Sequence, residues 1–437
     1  MVDGIWSFDG TERAAGTLVE PSRYQQLYSI LKSSPSVIPR GAGLSYCNAA
    51  AGDRVVSVSS RQFNRVTAFD QKNGVVEVEP GITVGSLTQL ALRFGWIPPV
   101  LPGHPAITVG GCVGFNVHGK SQRESGNFVR CIQSLDVFHP DHGLVTCSPT
   151  ENSKLFEVTV GGFGLTGFVT SIRIKLEPSV GRSLIRESIP VQDLHEAVAT
   201  MESCENPVAV YSWHDLTAAR RTFGPGIVYV ERSDEEDAEW RSEFRSLTAE
   251  SRRRYPLCIF NRITTAMINL GYGWMGRLGG ATKRLPMESA LFPISGKEFY
   301  FRMFGRRGLR EYQALVPRSA WQHFAAELRG MLRKHRATPS LGSLKLFTGD
   351  SSYLNFCGSG VCLALDVPAT PSAPRLFADI DRLAIEVSGI VNLSKDSRIT
   401  SDTVQRMFPG YGAFADFIQD FDPHRKFWSS LGDRIFG

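Results

Sequence analysis

The chain has 437 residues, of which 42% are hydrophobic, 10% aromatic and 21% charged, with a net charge of +5 at neutral pH. That balance suits a globular protein of two or three domains and makes no case for a nucleic-acid partner. No run approaches the ~18 apolar residues of a membrane span.

The eight cysteines form no CxxC pair, so neither a metal site nor a disulfide framework is indicated. The N-terminus MVDGIWSFDG lacks the basic-then-apolar pattern of a signal peptide, and a cytoplasmic protein with reduced thiols is expected.

Residues 20–33 read as a helix with an apolar stripe. A short strand, Ser36 to Pro39, then runs into the turn Arg40-Gly41-Ala42-Gly43-Leu44-Ser45-Tyr46. Glycine amides, a hydroxyl and a guanidinium in one turn can cradle a phosphate, although such a turn alone is a weak signal. Val55 to Val58 and Val75 to Glu79 are strands rich in valine, and Val84 to Phe94 reads as a helix stopped by Gly95.

The stretch from Pro102 to Lys120, PGHPAITVGGCVGFNVHGK, holds five glycines, two prolines, two histidines and no acid. Thr108-Val109-Gly110-Gly111 reads as a turn offering consecutive amide donors, and His118-Gly119-Lys120 adds an imidazole and a cation. Donors without carboxylates suit an anion such as a pyrophosphate. Alone, a Gly-Gly pair more often marks a tight structural loop.

After the hairpin of Leu135–Phe138 and Gly143–Cys147, the run Gly161-Gly162-Phe163-Gly164-Leu165-Thr166-Gly167 contains GxGxxG. A dinucleotide fold needs a helix after that motif, with its N-terminus on the pyrophosphate. Here Phe168 to Leu176 alternates with period two, which is a strand, so a nicotinamide-dependent dehydrogenase is disfavoured.

Beyond Pro178 the glycine-rich turns thin out. Strands are expected at Val208–Trp213, Gly226–Glu231, Tyr312–Pro317, Ser343–Phe347 and Val361–Asp366, with helices at 190–204, Ala320–Lys334 and Phe377–Val387. Arg232 to Arg254 reads as a solvated helix with loops. Residues 255–285, rich in aromatics and glycine, read equally as a mobile lid, an apolar groove or a core helix. Finally Val391-Asn392-Leu393-Ser394-Lys395-Asp396-Ser397-Arg398 carries Lys395 from a strand end. A lysine in such a setting is usually on the surface; buried, it would be a cation or base of adjustable pKa. Phe414 to Phe421 and the last helix bring the chain back to its first domain.

Taken in order, PRGAGLSY, the 102–120 stretch, the hairpin and GGFGLTG resemble the vanillyl-alcohol-oxidase-type FAD-binding family, a two-domain α+β fold with a PCMH-type FAD domain and an antiparallel-sheet substrate domain. HGK, LREYQALVP, SLKLF, LDVP and SKDSR resemble the decaprenylphosphoryl-β-D-ribose 2'-oxidase subfamily within it. The implied division is 1–180 for FAD, 181–388 for substrate and 389–437 returning to the FAD domain.

The resemblance implies FAD contacts from Arg40, Gly41, Ala42, Gly43, Leu44, Ser45 and Tyr46, and from Pro102, Gly103, Thr108, Gly110 and Gly111. Asn116, His118, Gly119 and Lys120 follow, and then Gly162, Gly164, Thr166, Gly167 and Val169. It implies a substrate pocket of Trp213, Gln313, Lys345, Cys362, Asn392 and Lys395.

The implied activity is oxidation of a sugar hydroxyl to a ketone by hydride transfer to flavin N5, in cell-wall or glycolipid synthesis. Lys395 is the first candidate for the polar partner of that hydroxyl, with His118 and Tyr46 as rival bases. Implied partners are a sugar or lipid-linked sugar, a short-chain reductase and a membrane surface.

Two departures stand out. Some relatives bond flavin covalently to a first-loop histidine, whereas Gly43-Leu44-Ser45 stands here, so a non-covalent FAD is implied. Mycobacterial members have a cysteine where Ala364 stands and a tyrosine where Asn392 stands. An alditol or aldonolactone oxidase acting on free polyols or lactones therefore stays open, as does a flavin-binding subunit without catalysis of its own.

Overall fold

The structure, a computed structural model, describes residues 4–179, 181, 183–217, 222–234, 255–278 and 282–437. Most of the solvated segment expected over Arg232 to Arg254, and the 279–281 end of the glycine-rich run, lie outside these residues.

The architecture is α+β and rests on three main sheets. In the smallest, Thr17–Val19, Val56–Ser59 and Val37–Arg40 lie parallel. Helix Tyr24–Ser33 connects its two outer strands and buries Leu27 and Leu31, four apart on one face. The second sheet is antiparallel, in the order Gly143–Cys147, Ile132–His139, Phe168–Lys175, Val75–Val78, Val66–Asp70. Phe168–Lys175 follows GGFGLTG directly, as its alternation predicts, and buries Phe168, Ile172 and Ile174. The Val66–Asp70 strand escaped the sequence reading because its half-exposed residues carry no apolar run.

The third sheet has eight antiparallel strands: Thr282–Pro286, Ser183–Val191, Gly226–Ser233, Ala209–His214, Leu341–Phe347, Gly360–Pro368, Leu309–Val316 and Ile390–Val391. Side chains alternate along each strand, so the sheet has two different faces. One carries Val210, Val228, Val230, Leu344, Leu363, Leu365 and Ala314, in one core with residues of helices Leu194–Glu202, Trp321–Lys334 and Ala373–Glu386. The other carries Arg186, Tyr211, Glu231, Lys345, Asp366, Gln313 and Glu311. Helices cover the first face, and the second is left to carry chemistry.

Two expectations change. Val109-Gly110-Gly111 does not form a turn but opens the helix Val109–Phe115, with the Thr108 hydroxyl accepting from the Gly111 N–H at 3.2 Å. N-cap threonine offsets the low helix propensity of the glycines. The 255–285 run is not core helix: Arg262–Leu278 is a helix on the surface, with Ile263 and Met267 largely exposed.

The C-terminal segment returns to the parallel sheet. The Val37 N–H donates to Lys426 O at 2.8 Å, and the Trp428 N–H donates to Val37 O at 3.0 Å. Among the described residues, no helix is long and apolar enough to cross a membrane. All eight cysteines are unpaired.

The helix-covered core and an exposed sheet edge predict different tolerances. Leu363→Ala, inside the helix-covered face, should cost about 2–5 kcal/mol in urea unfolding. Leu144→Ala, 56% exposed on the edge of the other sheet, should stay within about 0.5 kcal/mol. Equal losses at the two positions would contradict this assignment of the core.

Candidate active site

Three glycine-bearing segments converge at the end of the parallel sheet. The Val37–Arg40 strand runs into Gly41 to Ser45, where Gly43 takes φ +68°, a left-handed conformation that glycine adopts without penalty. The backbone N–H groups of Gly41, Gly43, Leu44 and Ser45 find no acceptor among the described residues. Arg40 is buried beneath this turn, its guanidinium against Gly43 and 3.4 Å from Ala50 O.

Thr108 sits directly against Gly41: a Cβ there would fall 2.1 Å from the Thr108 hydroxyl. The first loop thus touches the start of the Val109–Phe115 helix. The third segment closes on the end of that helix, with the Gly161 N–H donating to Val113 O and the Phe163 N–H to Gly114 O, both at 2.8 Å.

These segments fit FAD. The turn is half-exposed, and its N–H groups without an acceptor among the described residues, beside a guanidinium, match a pyrophosphate. Bare backbone is also available for close approach: a Cβ at Gly103 would meet nothing within 4 Å, and one at Gly114 only Gly164 N at 4.0 Å. At Gly111 it would meet Thr108 Oγ1 at 3.2 Å and Ile107 Cγ2 at 4.0 Å.

Other implied contacts turn out to have work inside the protein. A Cβ on Gly110, Gly119, Gly162 or Gly167 would strike Pro80, Leu101, Val158 or Phe138. Asn116 accepts from the Val129 N–H at 2.9 Å, and Thr166 is fully buried with its hydroxyl on Thr159. Val169 pairs with Val137 in the second sheet. As side chains, Asn116 and Thr166 are therefore committed to packing.

The polar face of the large sheet meets this region at Tyr46 and Lys395. The Tyr46 N–H donates to Ser394 O at 3.0 Å, joining the first loop to the segment after Ile390–Val391. Lys395 Nζ lies 3.7 Å from the centroid of the Tyr46 ring and 3.2 Å from Glu311 Oε2. Gln313 donates to the same carboxylate and accepts from Asn392 Nδ2 at 2.8 Å.

Cross-strand register sets Glu311 opposite Asp366, Gln313 opposite Ala364 and Lys345 opposite Cys362. Asp366 accepts from the Tyr300 hydroxyl at 2.8 Å, and burial, aided by Glu311, holds its carboxyl well above the usual range. Burial, with Glu311 second, also raises the Tyr46 phenol well above its ordinary value.

His118 stands between Phe347 and Phe356, with ring centroids 4.7 and 5.6 Å away. Burial drives its pKa well below the usual imidazole value, and Lys345 and Lys395 add to the shift. Lys345 is itself lowered, chiefly by burial. Cys362 packs with Leu315, Phe347 and Phe356, and burial pushes its thiol up to about 12, so it is an inert wall.

Lys120 points away from the glycine loops, toward the far strands of the large sheet. Its Nζ donates to Ala290 O at 2.6 Å, lies 4.1 Å from the Tyr211 ring centroid and 3.8 Å from Glu231. Burial lowers it to about 7 despite Glu231. Glu231 is fully buried and accepts from Arg186 at 2.6 Å and from the Tyr211 hydroxyl at 3.2 Å. Trp213 lies on the same face under Tyr272, with ring centroids 4.5 Å apart.

Glu311, Asp366 and Glu231 were missed in the sequence. Each stands two residues from a named or aromatic neighbour on a strand (Gln313, Ala364, Tyr229), so period-two reading from that neighbour finds it. No group of three or more metal-ligating side chains occurs among the described residues.

Residues 16–148, which contain the first loop and the Val109–Phe115 helix, match the FAD binding domain family. Across 91% of this chain and 89% of the relative, the sequence is 25% identical to decaprenylphosphoryl-beta-D-ribose oxidase of Mycolicibacterium smegmatis. It is 27% identical to D-lactate dehydrogenase of Anaerostipes hadrus over 42% of this chain and 41% of that protein. It is 34% identical to Delta(24)-sterol reductase of Homo sapiens over 26% of this chain and 22% of that protein. Glycine loops with unpaired amides, a matching FAD domain and oxidoreductase relatives agree: the chain carries a FAD binding domain over residues 16–148 and is a FAD-dependent oxidoreductase.

Proposed function

We propose that the protein binds FAD non-covalently and oxidises a ring hydroxyl of a lipid-linked pentose to a ketone. In this reading residues 1–180 and 389–437 hold the cofactor, 181–388 hold the substrate, and a short-chain reductase acts on the product. The eight unpaired cysteines support a reducing compartment, the cytoplasm, with the protein at a membrane surface. The observation that carries the reading is the set of buried Glu311 with half-buried Lys395, Lys345 and His118, gathered at the polar sheet face beside the FAD loops. The likeness to a decaprenylphosphoryl-ribose oxidase along nearly the whole chain supports the substrate class.

Bound FAD supplies the two-electron oxidant, the chemistry that no side chain provides. The chain supplies the rest. Loss of hydride from a carbinol leaves one proton, and a base within hydrogen-bond reach must take it. His118, kept neutral by its surroundings, would accept that proton at the cost of forming an imidazolium that burial, Lys345 and Lys395 disfavour. The Tyr46 phenol, held protonated, donates rather than accepts. Lys395, fixed by Glu311, donates to the substrate oxygen and favours its developing negative charge. Lys345 is a second donor, for a hydroxyl or a phosphate oxygen.

With Leu44 at the loop position, acid precipitation should release FAD into solution, whereas flavin retained on the polypeptide would exclude a non-covalent cofactor. Gly111→Val should lose FAD while keeping much of its melting temperature, because the one tight neighbour of a Cβ there is the Thr108 hydroxyl at 3.2 Å, which has to give by only a little. A variant that keeps one FAD per chain would show that the cofactor does not pass Gly111.

Lys395→Ala should leave FAD bound and slow reduction by substrate about 100-fold or more. Glu311→Gln, which removes the counter-charge but keeps the shape, should retain FAD and show a smaller loss. An unchanged stopped-flow rate in Lys395→Ala would remove this lysine from the reaction.

The substrate class is tested by anaerobic flavin bleaching with a prenyl-phosphoryl pentose against xylitol, sorbitol and galactono-lactone. The lipid-linked sugar should reduce the enzyme best. Bleaching by the free polyols or the lactone alone would establish the alternative oxidase, and bleaching by none would favour a subunit without its own catalysis.

A further inference from the structure

Of the fourteen large apolar side chains exposed among the described residues, ten lie between Tyr255 and Phe299, so the exposure is local and asks for a local cause. Its centre is the helix Arg262–Leu278. Ile263, Met267, Leu270 and Trp274 are 73%, 68%, 61% and 64% exposed. At 3.6 residues per turn they fall within about 60° of one another, in a single outward stripe.

The inward side is polar. Thr265 and Asn269 are buried, Asn269 donates to Asp215 at 2.9 Å, and the Tyr272 hydroxyl lies 3.1 Å from that of Tyr229. The helix is therefore reversed relative to an ordinary surface helix. Large apolar residues face out, and polar ones anchor it over the sheet face that carries Trp213 and Glu231.

The surroundings are cationic. The chain just before the helix is tied to the 302–307 segment: the Tyr255 N–H donates to Arg302 O and the Ile259 N–H to Met303 O, and Gly305 packs on Leu257 and Cys258. Across the described residues of 255–307 the exposed charges are Arg262, Lys283, Arg284, Lys297, Arg306 and Arg307. The acids there, Glu288 and Glu298, are not exposed.

We propose that this face docks on a lipid bilayer bearing anionic headgroups. The Ile263–Met267–Leu270–Trp274 stripe would enter the acyl boundary, with Arg262, Arg306 and Arg307 on the phosphates. An apolar helix face with tryptophan and leucine, rimmed by arginine and lysine, is the pattern of interfacial helices. A second copy of this chain fits worse, because a two-fold contact would set this cationic rim against itself. The proposal draws on the lipid-linked substrate only for the reason to be at a membrane. Binding itself needs no substrate.

The test is vesicle flotation of the FAD-loaded protein. It should float with vesicles of phosphatidylcholine and phosphatidylglycerol in equal parts, less so in high salt, and weakly with phosphatidylcholine alone. The triple variant Ile263→Ser, Leu270→Ser, Trp274→Ser should bind at least about tenfold more weakly, while Leu144→Ser, exposed elsewhere, should bind as the parent does. Retained yellow colour and melting temperature show that the triple variant is folded. Arg306→Gln with Arg307→Gln should selectively weaken binding to the anionic vesicles.

No flotation of the parent, or equal flotation of the triple variant, overturns the proposal. So does concentration-dependent self-association that the triple variant abolishes, because it would give the face to a second copy. Flavin reduction by a detergent-dispersed prenyl-phosphoryl pentose reports the substrate class separately, and it should be unchanged in the triple variant.

Discussion

Lys395 lies 3.2 Å from Glu311 and 3.7 Å from the centre of the Tyr46 ring, and this contact binds three distant parts of the chain at one point. Tyr46 comes from the first glycine loop, Glu311 from the large sheet, and Lys395 from the segment that leads back to the parallel sheet. A buried ion pair gains little net stability, because desolvating both charges offsets most of their attraction. Breaking it by removing one partner is costly, since the other charge is left buried alone. The pair is better understood as a device that fixes where one cation stands. The Tyr46 ring reinforces it, as a cation–π contact to a partly exposed lysine contributes about 0.5–2 kcal/mol.

The same physics decides what each neighbour can do. His118 lies among phenylalanines and near two lysines, an environment that penalises imidazolium. Tyr46 and Asp366 lie where a negative charge is penalised, so the phenol keeps its proton and the carboxyl is held well above its usual range. One low-dielectric chamber thus sets a neutral acceptor beside a protonated donor and a fixed cation. Pairs of titratable groups driven apart in this way are a mark of functional sites. A second cluster along the same sheet face, Lys120 with Glu231, Arg186 and Tyr211, repeats the arrangement. There burial outweighs the attraction of Glu231 at 3.8 Å and draws the lysine toward neutrality.

The Arg262–Leu278 helix shows how a local pattern is read differently by its neighbours. Its apolar stripe has the spacing of a core helix, yet the surface below it is the polar face of the sheet. Tyr229, Asp215 and Trp213 offer hydroxyl, carboxylate and ring partners, and the helix turns Tyr272 and Asn269 toward them. The polar sheet face thereby fixes the orientation of the helix and leaves the apolar stripe outward.

Much of this was legible in the sequence, because the signals are local. Alternation in Phe168–Lys175 alone was enough to reject a dinucleotide fold after GGFGLTG, since strand and helix periods differ within a few residues. Glycine density marked the loops at 40–46 and 102–120, because only bare backbone can turn so tightly or be approached so closely. What the sequence left undecided depended on partners far along the chain. Gly110 and Gly111 are adjacent and look alike, yet a Cβ would strike Pro80 at the first and meet the Thr108 hydroxyl, less closely, at the second. Lys120 stands two residues from His118 but meets the far end of the sheet. Glu311, hidden in a strand that reads as ordinary, becomes the anchor of the site only when Tyr46 and Lys395 arrive from opposite ends of the chain. Whether a side chain is buried, paired or free is a property of the packed ensemble of neighbours, and only the tertiary structure supplies those neighbours.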